Sequence, residues 1–238
     1  MKLPFWQVGP EWAGETVAIL GGGPSLTQSQ VDACRGRCRV IAVNNAYQLA
    51  PWADLLYFSD EVWWLWHHGG DEIRAVHGRA VTIHQPGDRR YREFKGLKVA
   101  LSNAGTFRRE PAVRILQNYE AQPGLCEIRD GVYTGRSSGY QAINLAAHLG
   151  GARILLLGFD MRPVAGRTHW HTAHQRPTAA QDIEKVMLPW FQTLVEPCRR
   201  RGIEIVNCTP GSAIECFPRA SIADAFGASV MADFVRAA

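Results

Sequence analysis

The densest chemistry in the sequence is a short segment that holds three histidines. His169, His171 and His174 lie within six residues of one another, in the stretch that begins at Thr168. Imidazole titrates near neutral pH and also binds metal ions, so the segment suits either a general base or a metal site. A zinc site usually adds a fourth ligand or a fixed helical or strand spacing, and this segment is typical of a loop. The pattern favours a general base, and a structural or purely binding role is the alternative.

A glycine-rich loop is the second candidate. Gly21, Gly22, Gly23, Pro24 and Ser25 follow an apolar run that is typical of a buried strand. Glycines let the backbone approach a ligand closely and adopt positive φ, and amides at the start of the next helix bind phosphate. The loop has neither the Gly-Lys-Ser/Thr end of a Walker loop nor a full dinucleotide fingerprint. It therefore predicts an anion-binding loop, with a tight strand-to-helix turn as the alternative.

Small hydrogen-bonding residues also follow the other apolar runs. Because ligands of parallel sheets bind at the carboxyl ends of the strands, these residues are predicted to meet at one edge. The alternatives are an ordinary turn for the asparagines and helix capping for the serines of the small-residue loop at 134–139. The predicted pocket residues beyond the glycine loop are Asn44, Asn45, Ser59, Asp60, Ser137, Ser138, Gly139, Gly158, Phe159 and Asp160.

These residues need a parallel sheet to bring them together. Short apolar runs that do not alternate, separated by helical stretches, indicate strands buried on both faces. The predicted strands are Thr16–Leu20, Arg39–Val43, Leu55–Phe58, Ala80–Ile83, Lys98–Leu101, Arg153–Gly158 and Ile203–Asn207. We predict one α/β domain over residues 1–238 with a core at 16–215 and a C-terminal tail at 216–238. Its fold is a single Rossmann-like, mostly parallel sheet covered by helices on both faces, with a lid-like loop that carries the histidines.

Composition limits the classes of function. Hydrophobic residues make up 46% and charged residues 20% of the 238, as in an ordinary globular protein. The net charge of +4 favours an anionic ligand but is too small to indicate a nucleic-acid binder. Arginine clusters at 35–39, 89–92, 108–109 and 199–201 are either solvated turns or a face for a polyanionic acceptor. Six scattered cysteines and the lack of a long apolar run predict a cytoplasmic protein without a membrane span.

Taken together, these segments resemble the bacterial lipooligosaccharide sialyltransferases and related prophage-encoded proteins of unknown function. The family has a strand ending in Gly-x-Gly-Pro-Ser-Leu, and this chain has that motif from Gly21 to Leu26. Further matches, in the family's order, are Asn44 with Tyr47, the Ser137-Ser138-Gly139 start of an Ala-rich helix, Gly158-Phe159-Asp160, and Pro210-Gly211-Ser212. The resemblance covers about residues 16–215.

The resemblance implies a donor site and a base. In that family the glycine loop, the Asn and the Ser-Ser-Gly loop hold a cytidine monophosphate sugar without a metal. A histidine after the Gly-x-Asp turn serves as the general base, which here corresponds to His174 or to His171. The tyrosines that the family uses on the departing phosphate have no clear match, and Arg162 stands where one is expected.

The sequence thus predicts a metal-independent glycosyltransferase-like enzyme that uses a nucleotide-activated sugar as donor and needs no cofactor. Its partners would be the nucleotide sugar and an acceptor hydroxyl on a glycan or a nucleic acid, and a homo-oligomer is compatible with this. One alternative is a diphosphokinase or other phosphoryl transferase with Mg²⁺ on Asp60 and Asp160. Another is a non-catalytic nucleotide-binding phage accessory protein.

Overall fold

The computed structural model describes residues 4–102, 110–172 and 179–227. It contains an eight-stranded sheet in which every neighbouring pair of strands is parallel, in the order β10-β9-β1-β2-β3-β6-β7-β8. The sheet strands are β1 (Thr16–Leu20), β2 (Arg39–Val43), β3 (Leu55–Phe58), β6 (Leu97–Leu101), β7 (Val113–Asn118), β8 (Gly131–Val132), β9 (Arg153–Leu157) and β10 (Glu204–Asn207). The predicted α/β fold with a parallel sheet is confirmed.

Helices connect the strands and cover the sheet. They are α1 (Gln28–Cys34), α2 (Glu61–His68), α3 (Arg89–Glu93), α4 (Ser138–His148), α5 (Ala180–Asp182), α6 (Val195–Arg200) and α7 (Ile222–Gly227), with a 3-10 helix at Asn44–Gln48. Residues 180–201 form no single regular helix but consist of α5, a π-helical turn at Ile183–Met187, a 3-10 stretch at Leu188–Leu194, and α6. Pro189 and Pro197 lie inside this stretch, and proline cannot donate to the hydrogen-bond ladder of a regular helix.

Side chains that alternate along each strand feed two hydrophobic clusters, one on each face. In β1, Val17 and Ile19 pack with α4 and the stretch that ends in α6, whereas Ala18 and Leu20 pack with α1, α2, α3 and α7. All four of these β1 side chains are fully buried. Because both faces of β1 are covered, its side chains are apolar at every position and do not alternate with polar ones. The prediction that helices cover both faces of the sheet is confirmed.

The chain order reverses beside β1, and this reversal creates a crevice. From β1 the chain proceeds to β2, β3, β6, β7 and β8 in one direction, and then returns to place β9 on the other side of β1. Leu20 is in register with Leu157, so the residues that follow β1 and β9 leave the sheet side by side. Such a switch point at the carboxyl ends of the strands is where open α/β sheets bind ligands.

One predicted strand was assigned to the wrong sheet. Residues Ala80–Ile83 belong to β5 (Arg79–Gln85), which pairs with β4 (Gly70–Val76) in a separate antiparallel hairpin. Most described side chains of β5 are exposed, whereas those of the buried sheet strands are not. A β-branched run predicts an extended backbone but does not say which strand it pairs with.

The packed structure extends beyond the core predicted at 16–215. Near the N-terminus, Trp6 N–H donates to Ile115 O and Val8 is buried against the sheet. In the predicted tail, α7 packs on α1 through Ala225, which is fully buried. Among the described residues, no helix combines the length and apolar character that crossing a membrane requires.

Candidate functional site

A cavity of about 380 Å³ lies at the carboxyl edge of the sheet, over the switch point between β1 and β9. It is formed by the loops after β1, β2, β3 and β9, the start of α4 and the π-helical turn. The predicted residues that line it are Gly21, Gly22, Gly23, Asn44, Asn45, Ser59, Asp60, Ser137, Ser138, Gly139, Gly158, Phe159, Asp160, Arg162 and His171. Pro24 and Ser25 do not line it, and His174 lies outside the described residues.

Gly21 and Gly23 are required by the close approach of the loop after β9, whereas Gly22 faces the ring of His169. A Cβ on Gly21 would lie 2.6 Å from Gly158 O, and a Cβ on Gly23 would lie 2.0 Å from Asp160 Oδ2. None of the three has the positive φ expected from the sequence, whereas Gly158 has φ of 69°. The expectation of positive φ in this loop was therefore wrong: the missing side chains allow two loops to pack backbone to backbone.

The amides of the glycine loop already have acceptors inside the protein. Gly21 N–H donates to Leu157 O and Gly23 N–H to Gly158 O, both at 2.8 Å. Ser25 donates its N–H and its hydroxyl to the carboxylate of Asp160, with Oγ 2.9 Å from Oδ2. Thr27, not Ser25, caps α1. Asp160 thus occupies the place in this loop where an external anion was expected.

Asp160 is held in a buried position in the cavity wall. Only 1% of the residue is exposed, and burial raises the pKa of its carboxyl while the hydrogen bonds from Ser25 lower it. The positive charge of Arg162 acts in the same direction as Ser25. The guanidinium of Arg162 lies over Gly211, so it reaches from the β9 loop across to the loop after β10.

The start of α4 offers a second place for an anion, and this one is open to the cavity. Ser137 is the N-cap and accepts a hydrogen bond from Tyr140 N–H. Ser138 and Gly139 supply the first two helical amides, which have no acceptor within a helix, and both residues line the cavity. The Ser138 hydroxyl lies 3.0 Å from that of Ser59. Arg136, which adopts φ of 62°, is exposed and also lines the cavity.

The two asparagines after β2 have different roles. Asn45 Oδ1 accepts a 2.7 Å hydrogen bond from Trp63 Nε1, and both residues are buried. Asn44 adopts φ of 50°, and its Oδ1 is buried without a hydrogen-bond partner among the described residues. An unpaired buried carbonyl oxygen costs about 1–3 kcal/mol, so Asn44 is the better candidate to bond a ligand donor.

Asp60 caps a helix as well as lining the cavity. Its Oδ1 accepts from Val62 N–H at 2.8 Å and from Trp63 N–H at 3.4 Å. Asp60 and Asp160 were the magnesium ligands of the phosphoryl-transferase alternative, and each carboxylate has local hydrogen bonds. Within residues 4–102, 110–172 and 179–227, no group of three or more His, Cys, Asp or Glu is arranged to hold a metal.

The described part of the histidine segment packs onto the glycine loop. Trp170 N–H donates to Gly22 O at 3.1 Å, and a Cβ on Gly22 would lie 3.2 Å from His169 Cδ2. His169 Nδ1 is 3.0 Å from Thr168 Oγ1, and the rings of His169 and His171 are 5.5 Å apart. Both imidazoles line the cavity. The lid-like role predicted for this segment is not confirmed by these contacts.

Sequence reasoning missed part of the cavity wall. Ile183, Met187 and Phe191 line the cavity and lie four residues apart. This is a helical spacing, and it could have predicted that one face of residues 183–191 is buried. Gln141 is fixed by Tyr57 Oη and Thr134 O, and its amide gave no separate signal. The other missed residues are Val43, Trp63, Met161 and Thr168, and Arg136 and His169 also line the wall.

None of the arginines at 35–39, 89–92 and 199–201 lines the cavity, and Arg108 and Arg109 lie outside the described residues. Arg39 begins β2 at the opposite edge of the sheet and pairs with Glu15 and Asp54. Arg35 lies over Trp52, and Arg199 pairs with Glu196. Since these arginines have partners nearby, their clusters are accounted for by local pairing on the surface.

The fold and site together define a doubly wound parallel α/β domain with a cavity at its switch point. Comparison with protein-family models, with curated proteins and with solved structures gave no match for this chain.

Proposed function

We propose that the cavity binds a nucleotide-activated sugar and that the chain is a metal-independent glycosyltransferase-like enzyme with a histidine base. The proposal is supported mainly by one observation. The cavity at the switch point is lined by the first residues of α4, by Arg136 and Arg162, and by the histidine segment. The resemblance to the sialyltransferases makes a cytidine monophosphate sugar the first donor to test.

In this proposal the nucleotide phosphate binds at the start of α4. The amides of Ser138 and Gly139 and the guanidinium of Arg136 all favour a negative charge there. The glycine loop offers less, because three of its amides already donate to Leu157 O, Gly158 O and Asp160. Its contribution is to let the β1 and β9 loops pack closely, and the ring of His169 packs over Gly22.

The chemistry assigned to the site is transfer of the sugar to a hydroxyl group. The acceptor oxygen attacks the anomeric carbon, the bond from that carbon to the phosphate oxygen breaks, and the nucleotide leaves. A histidine takes the proton of the acceptor hydroxyl, since its pKa is close to the working pH. Arg162 and Arg136 stabilise the charge that develops on the departing phosphate. His171 lines the cavity, and His174 follows it by three residues, so both are candidates for the base.

A thermal-shift screen tests the proposal, because a ligand that binds only the folded state raises the melting temperature. Nucleoside mono- and diphosphates and nucleotide sugars are compared with Mg²⁺ and with EDTA. We expect cytidine nucleotides to raise Tm equally in both. A requirement for Mg²⁺ would favour the phosphoryl transferase, and no shift with any nucleotide would contradict the proposal.

Turnover then distinguishes the histidines. His171→Ala and His174→Ala are assayed for transfer and for hydrolysis of the donor that the screen identifies. The base variant is expected to lose turnover by about 100-fold or more while its nucleotide Kd stays within twofold. Full turnover in both variants would contradict a histidine base, and binding without turnover in the wild type would favour the non-catalytic alternative.

A further inference from the structure

A chain of polar and aromatic side chains extends inward from the part of the cavity wall that carries Asn44, Asn45 and Trp63. The hydroxyl of Tyr47 is 2.9 Å from Asp88 Oδ2 and 2.6 Å from His67 Nδ1. The His67 ring stacks on Trp63 with 4.1 Å between centroids and 21° between planes. Trp63 Nε1 in turn donates to Asn45 Oδ1 at 2.7 Å.

These contacts form a closed circuit. Asn45 and Tyr47 belong to the same 3-10 helix, and His67 and Trp63 belong to α2. The contacts therefore join the 3-10 helix to α2 at two points, Tyr47 with His67 and Asn45 with Trp63. Gln48, from the same turn, also donates to Asp88 Oδ2 at 3.0 Å. We call the residues Tyr47, His67, Asp88, Trp63 and Asn45 the turn circuit.

The circuit is buried, and its proton positions follow from its geometry. Tyr47 is fully buried, and Trp63, His67 and Asn45 are each less than 9% exposed. Asp88 also pairs with Arg90, which keeps the carboxylate ionised, so it can only accept. Tyr47 must then donate to Asp88, and the Tyr47 oxygen accepts from His67. His67 therefore carries a proton on Nδ1, and burial lowers the pKa of its imidazole to about 4, so the ring is neutral near pH 7.

We propose that the turn circuit is a positioning device for Asn44. Asn44 is the first residue of the turn, and its φ of 50° is uncommon for a residue other than glycine. Asparagine adopts this left-handed conformation more readily than most other residues, and the circuit anchors the turn that carries it through Asn45 and Tyr47. It thereby fixes the position of Asn44 in the cavity wall, where a ligand donor could bond its amide. The claim that Asn44 bonds a ligand rests on the proposed nucleotide site.

Tyr47→Phe tests the circuit with little change in packing. The ring contacts of Tyr47 with Trp63, Tyr91 and Phe94 remain possible, and only the hydroxyl is lost. Tyr91→Phe is the matched control, because it makes the same change on a neighbouring ring outside the circuit. With cytidine monophosphate as the probe, we expect Tyr47→Phe to weaken binding about tenfold and Tyr91→Phe to leave it unchanged. Equal Kd values for wild type and Tyr47→Phe would overturn the proposal.

A ligand-free measurement keeps this test separate from the proposed function. Nitrogen-15 NMR of histidine distinguishes a proton on Nδ1 from one on Nε2. We expect Nδ1–H for His67 in the wild type and in Tyr91→Phe, and a changed protonation pattern in Tyr47→Phe. An Nε2–H tautomer in the wild type would overturn the circuit. If no nucleotide binds but Nδ1–H is found, the proposed function fails and the circuit stands.

Discussion

Ser25 clamps the carboxylate of Asp160 through both its backbone N–H and its hydroxyl, and so ties the loop after β1 to the loop after β9. The contact joins residues 135 positions apart, directly over the switch point of the sheet. It also occupies the Ser25 amide, one of those that the glycine loop would otherwise offer to an anion. In the proposed nucleotide site, the start of α4 is therefore the better place for a phosphate.

The first prediction concerns the close approach of these two loops. Gly23→Ala would bring a Cβ to 2.0 Å from Asp160 Oδ2 and 2.5 Å from Gly158 O, so one loop must move. We expect a loss of about 1–3 kcal/mol in the free energy of unfolding, measured by urea denaturation. Gly22→Ala is the control, since its Cβ meets only the movable ring of His169 at 3.2 Å. Equal stability losses in the two variants would refute this account of the loop.

The second prediction separates two adjacent serines. Ser137 caps α4, so Ser137→Ala is expected to lower the free energy of unfolding by about 1 kcal/mol. Ser138 is not the cap, and its hydroxyl lies beside that of Ser59 at the cavity. Ser138→Ala should therefore weaken nucleotide binding more than Ser137→Ala while costing less stability. The reverse ranking in calorimetry and chemical denaturation would show that the serines were assigned to the wrong roles.

The third prediction is a pH dependence of stability due to His67. Burial lowers the pKa of His67 from 6.5 to about 4, so between these values the unfolded chain binds a proton that the folded chain does not. Stability should then be lost on acidification from pH 6.5 to about 4, by about 3 kcal/mol at most. Burial also lowers the pKa of His148, which acts in the same direction.

A comparison with His67→Gln isolates the part due to His67, because His148 is present in both proteins. The free energy of unfolding is measured from pH 4 to pH 7 for each. We expect the variant to be less sensitive to acid than the wild type over this range. Parallel curves for the two proteins would mean that His67 is not held neutral in the fold.

The sheet and most of the cavity were predictable because both follow from local patterns. The apolar runs at 16–20, 39–43 and 153–157 are buried strands, and small polar residues after them do meet at one edge. The hairpin at 70–85 was not predictable, since a β-branched run does not name its partner. The hydrogen bonds from Ser25 to Asp160 were not predictable for a related reason. The sequence around Ser25 does not indicate that a carboxylate 135 residues away accepts from this loop.

The most direct test of the nucleotide site is calorimetric titration of cytidine monophosphate into wild type, Arg136→Gln and Arg199→Gln. Arg136 lies at the cavity, whereas Arg199 is an exposed residue paired with Glu196 and serves as the charge-matched control. We predict that the wild type and Arg199→Gln bind with the same Kd and that Arg136→Gln binds about tenfold more weakly. Equal Kd values for Arg136→Gln and the wild type, or no binding to the wild type, would contradict a phosphate site at the start of α4.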